Sequence, residues 1–216
     1  MVTALIFKPI TIVRPFAERV LRANPQAKLS ACEDHFTLAT STAETFILQM
    51  FSIPPLVSGD RYRIAAFHPT RCHFIGFFDF TLFQDYEKLP KSIYDAYSNT
   101  KHEMHIFCGP LVVDPPDLDS NKLSTLNWAL FVDNNIRKNF RGTGTTLLTL
   151  GMHYASFLGA DRFKLQQANY EFFKRFPFDH EFAYLTADSE THSNYFTANL
   201  QDPASFPLIG IERRII

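Results

Sequence analysis

Residues 126–166 read LNWALFVDNNIRKNFRGTGTTLLTLGMHYASFLGADRFKLQ, and the pattern of this stretch decides the fold. Its first seven residues, LNWALFV, are almost continuously apolar, as expected of a strand buried on both faces. From 145 to 158 the spacing becomes helical. Leu147, Leu148, Met152, Ala155 and Leu158 cover most of that helix, while Thr146, Thr149, His153 and Ser156 share one face. Gly159 supplies the helix stop, and 162–166 returns as a strand. Strand, glycine loop, helix, strand is a crossover unit, so its two strands run parallel.

The loop inside this unit, RKNFRGTGTTLL at 137–148, carries the most chemistry. A buried strand that runs into glycines and then a helix aims the helix's unpaired N–H groups at one point. Those groups and the positive end of the helix dipole favour an anion. Gly142 and Gly144 place no Cβ in the way of a phosphate, and Arg137, Lys138 and Arg141 add positive charge. Glycine also serves geometry alone at such junctions. The local pattern therefore leaves a phosphate site and a plain helix start both open. No G-x-x-x-x-G-K-[ST] is present, which argues against a nucleoside-triphosphate loop. The third glycine of a dinucleotide loop is missing, since position 147 is Leu, and no acidic ribose-binding residue follows where expected.

Outward from this unit the pattern is weaker. Residues 15–23, PFAERVLRA, predict a short amphipathic helix, and 42–51, TAETFILQMF, predict a second, stopped by Ile53, Pro54 and Pro55. Residues 62–67 and 73–83 predict an aromatic-rich hairpin. A polar loop over 85–101, a strand over 105–113 broken by Gly-Pro, and a loop over 114–122 come next. Beyond 179 the sequence predicts polar loop over 186–202 with a short helix at 194–200, then a closing strand over 207–216.

Composition sets the outer limits. The chain has 216 residues, no internal repeat and no low-complexity segment, which predicts one domain over 1–216. Its 23 phenylalanines promise a thick aromatic core or an apolar cleft. Lys+Arg of 21 against Asp+Glu of 22 argues against a nucleic-acid-coating protein. No apolar run is long enough to span a bilayer, and the start does not read as a signal peptide. Cys32, Cys72 and Cys108 are odd in number and widely spaced, as for reduced thiols, so a cytoplasmic location is expected. The groups HPTRCH (68–73) and KHEMH (101–105) invite a metal reading, but neither has H-E-x-x-H spacing, and no metal site is expected.

The residues Phe131, Val132 and then N-F-R-G-T-G-T-T-L-L resemble motif A of the GNAT superfamily of N-acetyltransferases, written Q/R-x-x-G-x-G/A. Asn139, Gly142 and Gly144 occupy its three defined positions, with Asn in place of Gln or Arg. Ile75-Gly76 is similar to the hydrophobic-Gly pair of that family's preceding hairpin. Asn169 with FFKRFPF (172–178) is similar to a degraded form of its N-x-x-A-x-x-F-Y-x-K-x-G-F segment. The resemblance spans 62–178 and implies an α/β (α+β) fold: a mixed, mostly antiparallel twisted sheet, a central parallel strand–helix–strand unit at about 126–167, and flanking helices.

It also implies acetyl-CoA as co-substrate and an amine acceptor, small molecule or protein, attacking the acetyl group directly. The pyrophosphate would be held by backbone N–H groups of Phe140, Arg141, Gly142, Thr143, Gly144 and Thr145, with Arg137, Lys138 and Asn139 beside it. Leu130, Phe131 and Val132 would pair with the pantetheine arm as an added strand. The tyrosine that often protonates the leaving thiolate falls at Phe173, which cannot donate a proton; Tyr170 and Tyr184 are the nearby hydroxyls. Asp133, Glu103 and His105 are the candidate bases, and Asp133 reads equally as a turn or cap residue. Two other readings stand beside the acetyltransferase. One is a non-catalytic fold that binds CoA or a protein partner; the other is a longer-chain acyltransferase with the phenylalanines as its acyl pocket.

Overall fold

The computed structural model describes residues 7–54, 60–68, 73–84, 123–166, 170–184 and 192–214. In chain order these form β1 (Lys8–Pro9), α1 (Arg14–Ala23), β2 (Lys28–Ala31), β3 (His35–Ala39), β4 (Thr45–Ile53), β5 (Asp60–His68), β6 (His73–Gln84) and β7 (Leu123–Val132). Then follow α2 (Asn134–Asn139), β8 (Phe140–Arg141), α3 (Thr143–Phe157), β9 (Arg162–Gln166), α4 (Tyr170–Phe173), β10 (Asp179–Tyr184), β11 (His192–Asn199), a 3₁₀ turn (Pro203–Ser205) and β12 (Glu212–Arg213). The readings of 85–101, 105–113 and 114–122, and most of the two histidine groups, lie outside the described residues.

Ten strands make one sheet in the order β10-β11-β9-β7-β6-β5-β4-β3-β2, with β1 on β4. All its pairings are antiparallel except β7 with β9. The expected fold class is therefore what the chain adopts. The aromatic hairpin closes with His68 opposite His73, and the crossover β7-α3-β9 sits where the sequence placed it.

Two expected helices are strands instead. In 42–51 the fully buried residues are Phe46, Leu48 and Met50, an alternation of two, and β4 is held by β3 on one edge and β5 on the other. Apolar residues fill both parities of this run, so its helical and strand periods overlap in sequence, and the neighbouring strands decide. Residues 194–200 likewise lie largely in β11, with Phe196 and Ala198 buried and partners on both edges. The expected closing strand over 207–216 shrinks to β12, which pairs with β8 in a separate two-stranded sheet.

Helix α1 starts with Pro15 in its first turn, buries Phe16, Ala17 and Val20, and packs on α3. Helix α3 lies over β5, β6 and β7. The approach is close at Gly151, where a Cβ would stand 2.7 Å from the ring of Phe78. The polar face of α3 is buried too. Thr146 exchanges hydrogen bonds with the carbonyl and N–H of Gly210, both 3.1 Å, and Ser156 donates to the Leu200 carbonyl at 3.1 Å. On the opposite face of the sheet, Phe77 lies between Phe74 and Phe131, each 5.9 Å away in stacked geometry.

Candidate functional site

The site is built around the end of β7. That strand pairs with β9 only over Ser124–Leu126, against Arg162–Lys164, although both strands continue. Beyond that point β9 stays with β11, pairing Leu165 with Phe196 and Gln166 with Tyr195. β7 stays with β6, pairing Leu130, Phe131 and Val132 with Phe78, Phe77 and Gly76. The two parallel neighbours thus part, and the outer edge of Leu130–Val132 meets no strand among the described residues. A bulge accompanies the parting. Asp79 faces Ala129 and Phe80 faces Asn127, so Trp128 is an extra residue on β7. Such an insertion bends and twists its strand. Gly76 permits the close approach of β6 here, since a Cβ would stand 2.3 Å from the Phe131 carbonyl oxygen.

After Val132 the chain turns at Asp133. Its N–H donates to the Ile75 carbonyl at 2.7 Å, and its Oδ1 accepts from the Ile136 N–H at 3.3 Å. Asp133 is thereby placed as the N-terminal cap of α2. The cap reading of Asp133 holds, and α2 (Asn134–Asn139) takes up the first three residues of the stretch read as a loop from 137; an Asp directly before Asn-Asn-Ile is the helix-start signal for it. Arg137, Lys138, Asn139 and Arg141 are exposed, whereas Phe140 is buried 5.2 Å from the ring of Phe46.

β8 pairs with β12, and the Arg214 N–H donates to the Asn139 carbonyl at 2.8 Å. The loop is therefore braced by the C-terminal segment. Gly142 adopts φ +89°, and a Cβ there would stand 2.2 Å from the Gly210 carbonyl oxygen. The room that this glycine leaves is filled by the protein's own backbone. Gly144 is different: a Cβ would meet only the Phe172 ring at 3.5 Å and Val132 at 3.7 Å, both ordinary contacts.

Helix α3 has no side-chain cap. The Thr146 N–H is taken by the Gly142 carbonyl at 2.8 Å, which leaves Thr143, Gly144 and Thr145 without intrahelical acceptors. Thr143 is buried, and its Oγ1 has no hydrogen-bond partner among the described residues. Uncapped N–H groups, an orphaned hydroxyl and exposed Arg137, Lys138 and Arg141 form a donor set suited to phosphate oxygens.

Of the remaining expected residues, Glu103 lies outside the described residues, and the side chains of Tyr170 and Tyr184 are not among those described. Phe173 is buried 5.7 Å from Phe196, while its neighbour Phe172 faces Gly144 and packs on Phe176 at 5.1 Å. Neither ring can move a proton. No local pattern singles out Phe172 over Phe173, because four phenylalanines crowd 172–178 without a clear period.

No protein-family model matches the chain, and no curated protein matches it. Among solved structures, it is similar to a protein of the yellow fever mosquito Aedes aegypti assigned as arylalkylamine N-acetyltransferase 7. The identity is 11%, with 82% of this chain and 97% of that one covered, at a TM-score of 0.43. It is also similar to an N-acyl amino acid synthase from uncultured soil microbes, 12% identical over 93% of this chain and 94% of that one, at a TM-score of 0.40.

Proposed function

We propose that the chain is a GNAT-type acyl-CoA-dependent N-acyltransferase, with acetyl-CoA as co-substrate and an amine as acceptor. One observation carries the reading: β7 parts from β9 after Leu126, leaves the outer edge of Leu130–Val132 without a strand among the described residues, and then leads, through α2, to the uncapped first turn of α3. A strand edge with free amides and carbonyls can hold an amide-bearing pantetheine arm, and the helix start can hold the pyrophosphate.

In this reading Thr143, Gly144 and Thr145 donate backbone N–H bonds to phosphate oxygens, and Arg137, Lys138 and Arg141 neutralise the remaining charge. The thioester supplies an acetyl carbonyl activated for attack. The acceptor nitrogen adds to the acetyl carbonyl carbon, collapse of that adduct breaks the C–S bond, and the proton lost from nitrogen neutralises the departing thiolate. A backbone N–H on the outer edge of β7 would suit the developing oxyanion. Isothermal titration of the full chain with acetyl-CoA and CoA tests the reading. Saturable binding is expected, weakened roughly tenfold by Arg141→Glu through loss of a charge-assisted contact. Absence of binding by the wild type overturns it.

A second reading, a CoA-binding module without catalysis, is favoured by the buried Phe173 where an acid is expected and by the cap role of Asp133. CoA release with amine, peptide and protein acceptors separates the two. Comparing affinity for octanoyl-CoA with that for acetyl-CoA tests the longer acyl chain.

A further inference from the structure

A cleft of about 460 Å³ opens between α1 and the chain that follows β11, with His153 of α3 among its lining residues. Its apolar wall includes Phe206, whose ring stacks on His153 at 4.6 Å, and Leu208, which is 61% exposed. Arg19 and Arg22, one helical turn apart on α1, line the same opening.

The hydrogen bonds around Asn24 fix the tautomer of His153. Asn24 Oδ1 accepts from the Ile209 N–H at 2.8 Å, and Nδ2 donates to the Val20 carbonyl at 2.9 Å. The second Nδ2 hydrogen is left for His153 Nε2, 3.4 Å away. Nε2 is thus the acceptor nitrogen, and Nδ1 carries the proton. That N–H is buried and has no acceptor among the described residues. Burial and the nearby Arg19 hold the ring neutral, with its pKa lowered to about 4.

The cationic side is equally unanswered. Arg19 donates to Ser156 Oγ at 2.6 Å, and neither it nor Arg22 has a carboxylate partner among the described residues. Glu18, the acid on this rim, is held by Arg14 at 2.7 Å. Two guanidinium groups and an orphaned N–H beside an apolar wall lack one thing, an anionic acceptor on an apolar body.

We propose that this cleft binds a small organic carboxylate, its charge between Arg19 and Arg22 and its apolar or aromatic body against Phe206 and Leu208. The volume lies within the range of small-molecule sites, roughly 300–1,000 Å³. Along α3, His153 stands about 15 Å from Thr143, so the site is separate from the glycine loop and stands whether or not that loop holds CoA.

The test is calorimetric titration of the full chain with phenylacetate, 2-phenylethanol and inorganic phosphate. Phenylacetate should bind saturably and at least about tenfold tighter than the neutral alcohol or the bare phosphate. Arg22→Gln should weaken it by roughly tenfold with melting unchanged, Arg19→Gln should weaken it comparably while also losing its bond to Ser156, and ¹⁵N-histidine spectra should show the His153 Nδ1 resonance moving on binding. Equal affinity for the three probes, or phenylacetate binding untouched in both arginine variants, overturns the proposal.

Discussion

Gly142 and Gly210 meet backbone to backbone: a Cβ on Gly142 would stand 2.2 Å from the Gly210 carbonyl oxygen, and Gly142 itself holds φ +89°. The glycine loop and the C-terminal segment are in this way one piece of structure. Gly142→Ala must both enter the left-handed region and push back a segment whose Gly210 is bonded to Thr146 on both its carbonyl and its N–H. The strain alone is about 1–3 kcal/mol. Chemical denaturation should show at least that loss, and any fall in CoA affinity should accompany it.

Gly144→Ala should behave in the opposite way. Its Cβ would lie 3.5 Å from the Phe172 ring, an ordinary contact, on a residue whose φ any side chain adopts. In the first turn of α3 the substitution removes glycine's freedom in the unfolded chain, so stability should rise by about 0.4–1 kcal/mol. A melt that falls in this variant would show that Phe172 does not yield.

Asp79 is buried in the sheet beneath two arginines. Arg63 binds it bidentately, Nε to Oδ1 at 2.6 Å and Nη2 to Oδ2 at 2.7 Å, and Arg61 adds a third contact at 2.9 Å. Arg63 also lies 4.0 Å over the Phe77 ring. Asp79→Asn keeps the shape and removes the charge, leaving the mostly buried Arg63 guanidinium without its bidentate counter-charge. The expected loss is about 3–5 kcal/mol by urea denaturation.

How much of this was legible in the sequence depends on where each pattern was decided. The β7-α3-β9 unit could be read because a continuous apolar run, a glycine pair and a 3.6-residue period are local signals. The identity of β4 was not local. Thr45–Ile53 is apolar on both parities, and only β3 and β5 on its edges make it a strand. In the candidate site, the glycines and basic residues were legible, but the role of Gly142 was not, because its neighbour Gly210 lies 68 positions away in the chain. The parting of β7 from β9 is a matter of pairing register, which residue types do not encode one strand at a time.

Acid should act through His153. Its pKa is lowered from 6.5 to about 4 by burial and by Arg19, so the unfolded chain binds this proton more readily than the folded one. The contribution is complete above about pH 6.5, declines as the pH falls, and is gone near pH 4, an overall loss of about 3 kcal/mol from this one group. His153→Phe keeps a ring to stack on Phe206 and removes the titration. Its stability-against-pH curve should be flatter than the wild type's over that window, and curves of equal slope would show that protonation is not what His153 resists.

Asp133 closes β7 and opens α2, and two substitutions separate its roles. Oδ1 accepts from the Ile136 N–H at 3.3 Å, a bond that asparagine's carbonyl can make and alanine cannot. Asp133→Ala should therefore lose about 1 kcal/mol, while Asp133→Asn should stay within about 0.5 kcal/mol of the wild type. Because asparagine keeps the cap and cannot accept the acceptor amine's proton, the same Asp133→Asn chain isolates the carboxylate's chemistry. CoA release that falls while melting and acetyl-CoA affinity hold would assign that loss to proton transfer, since geometry is preserved by construction.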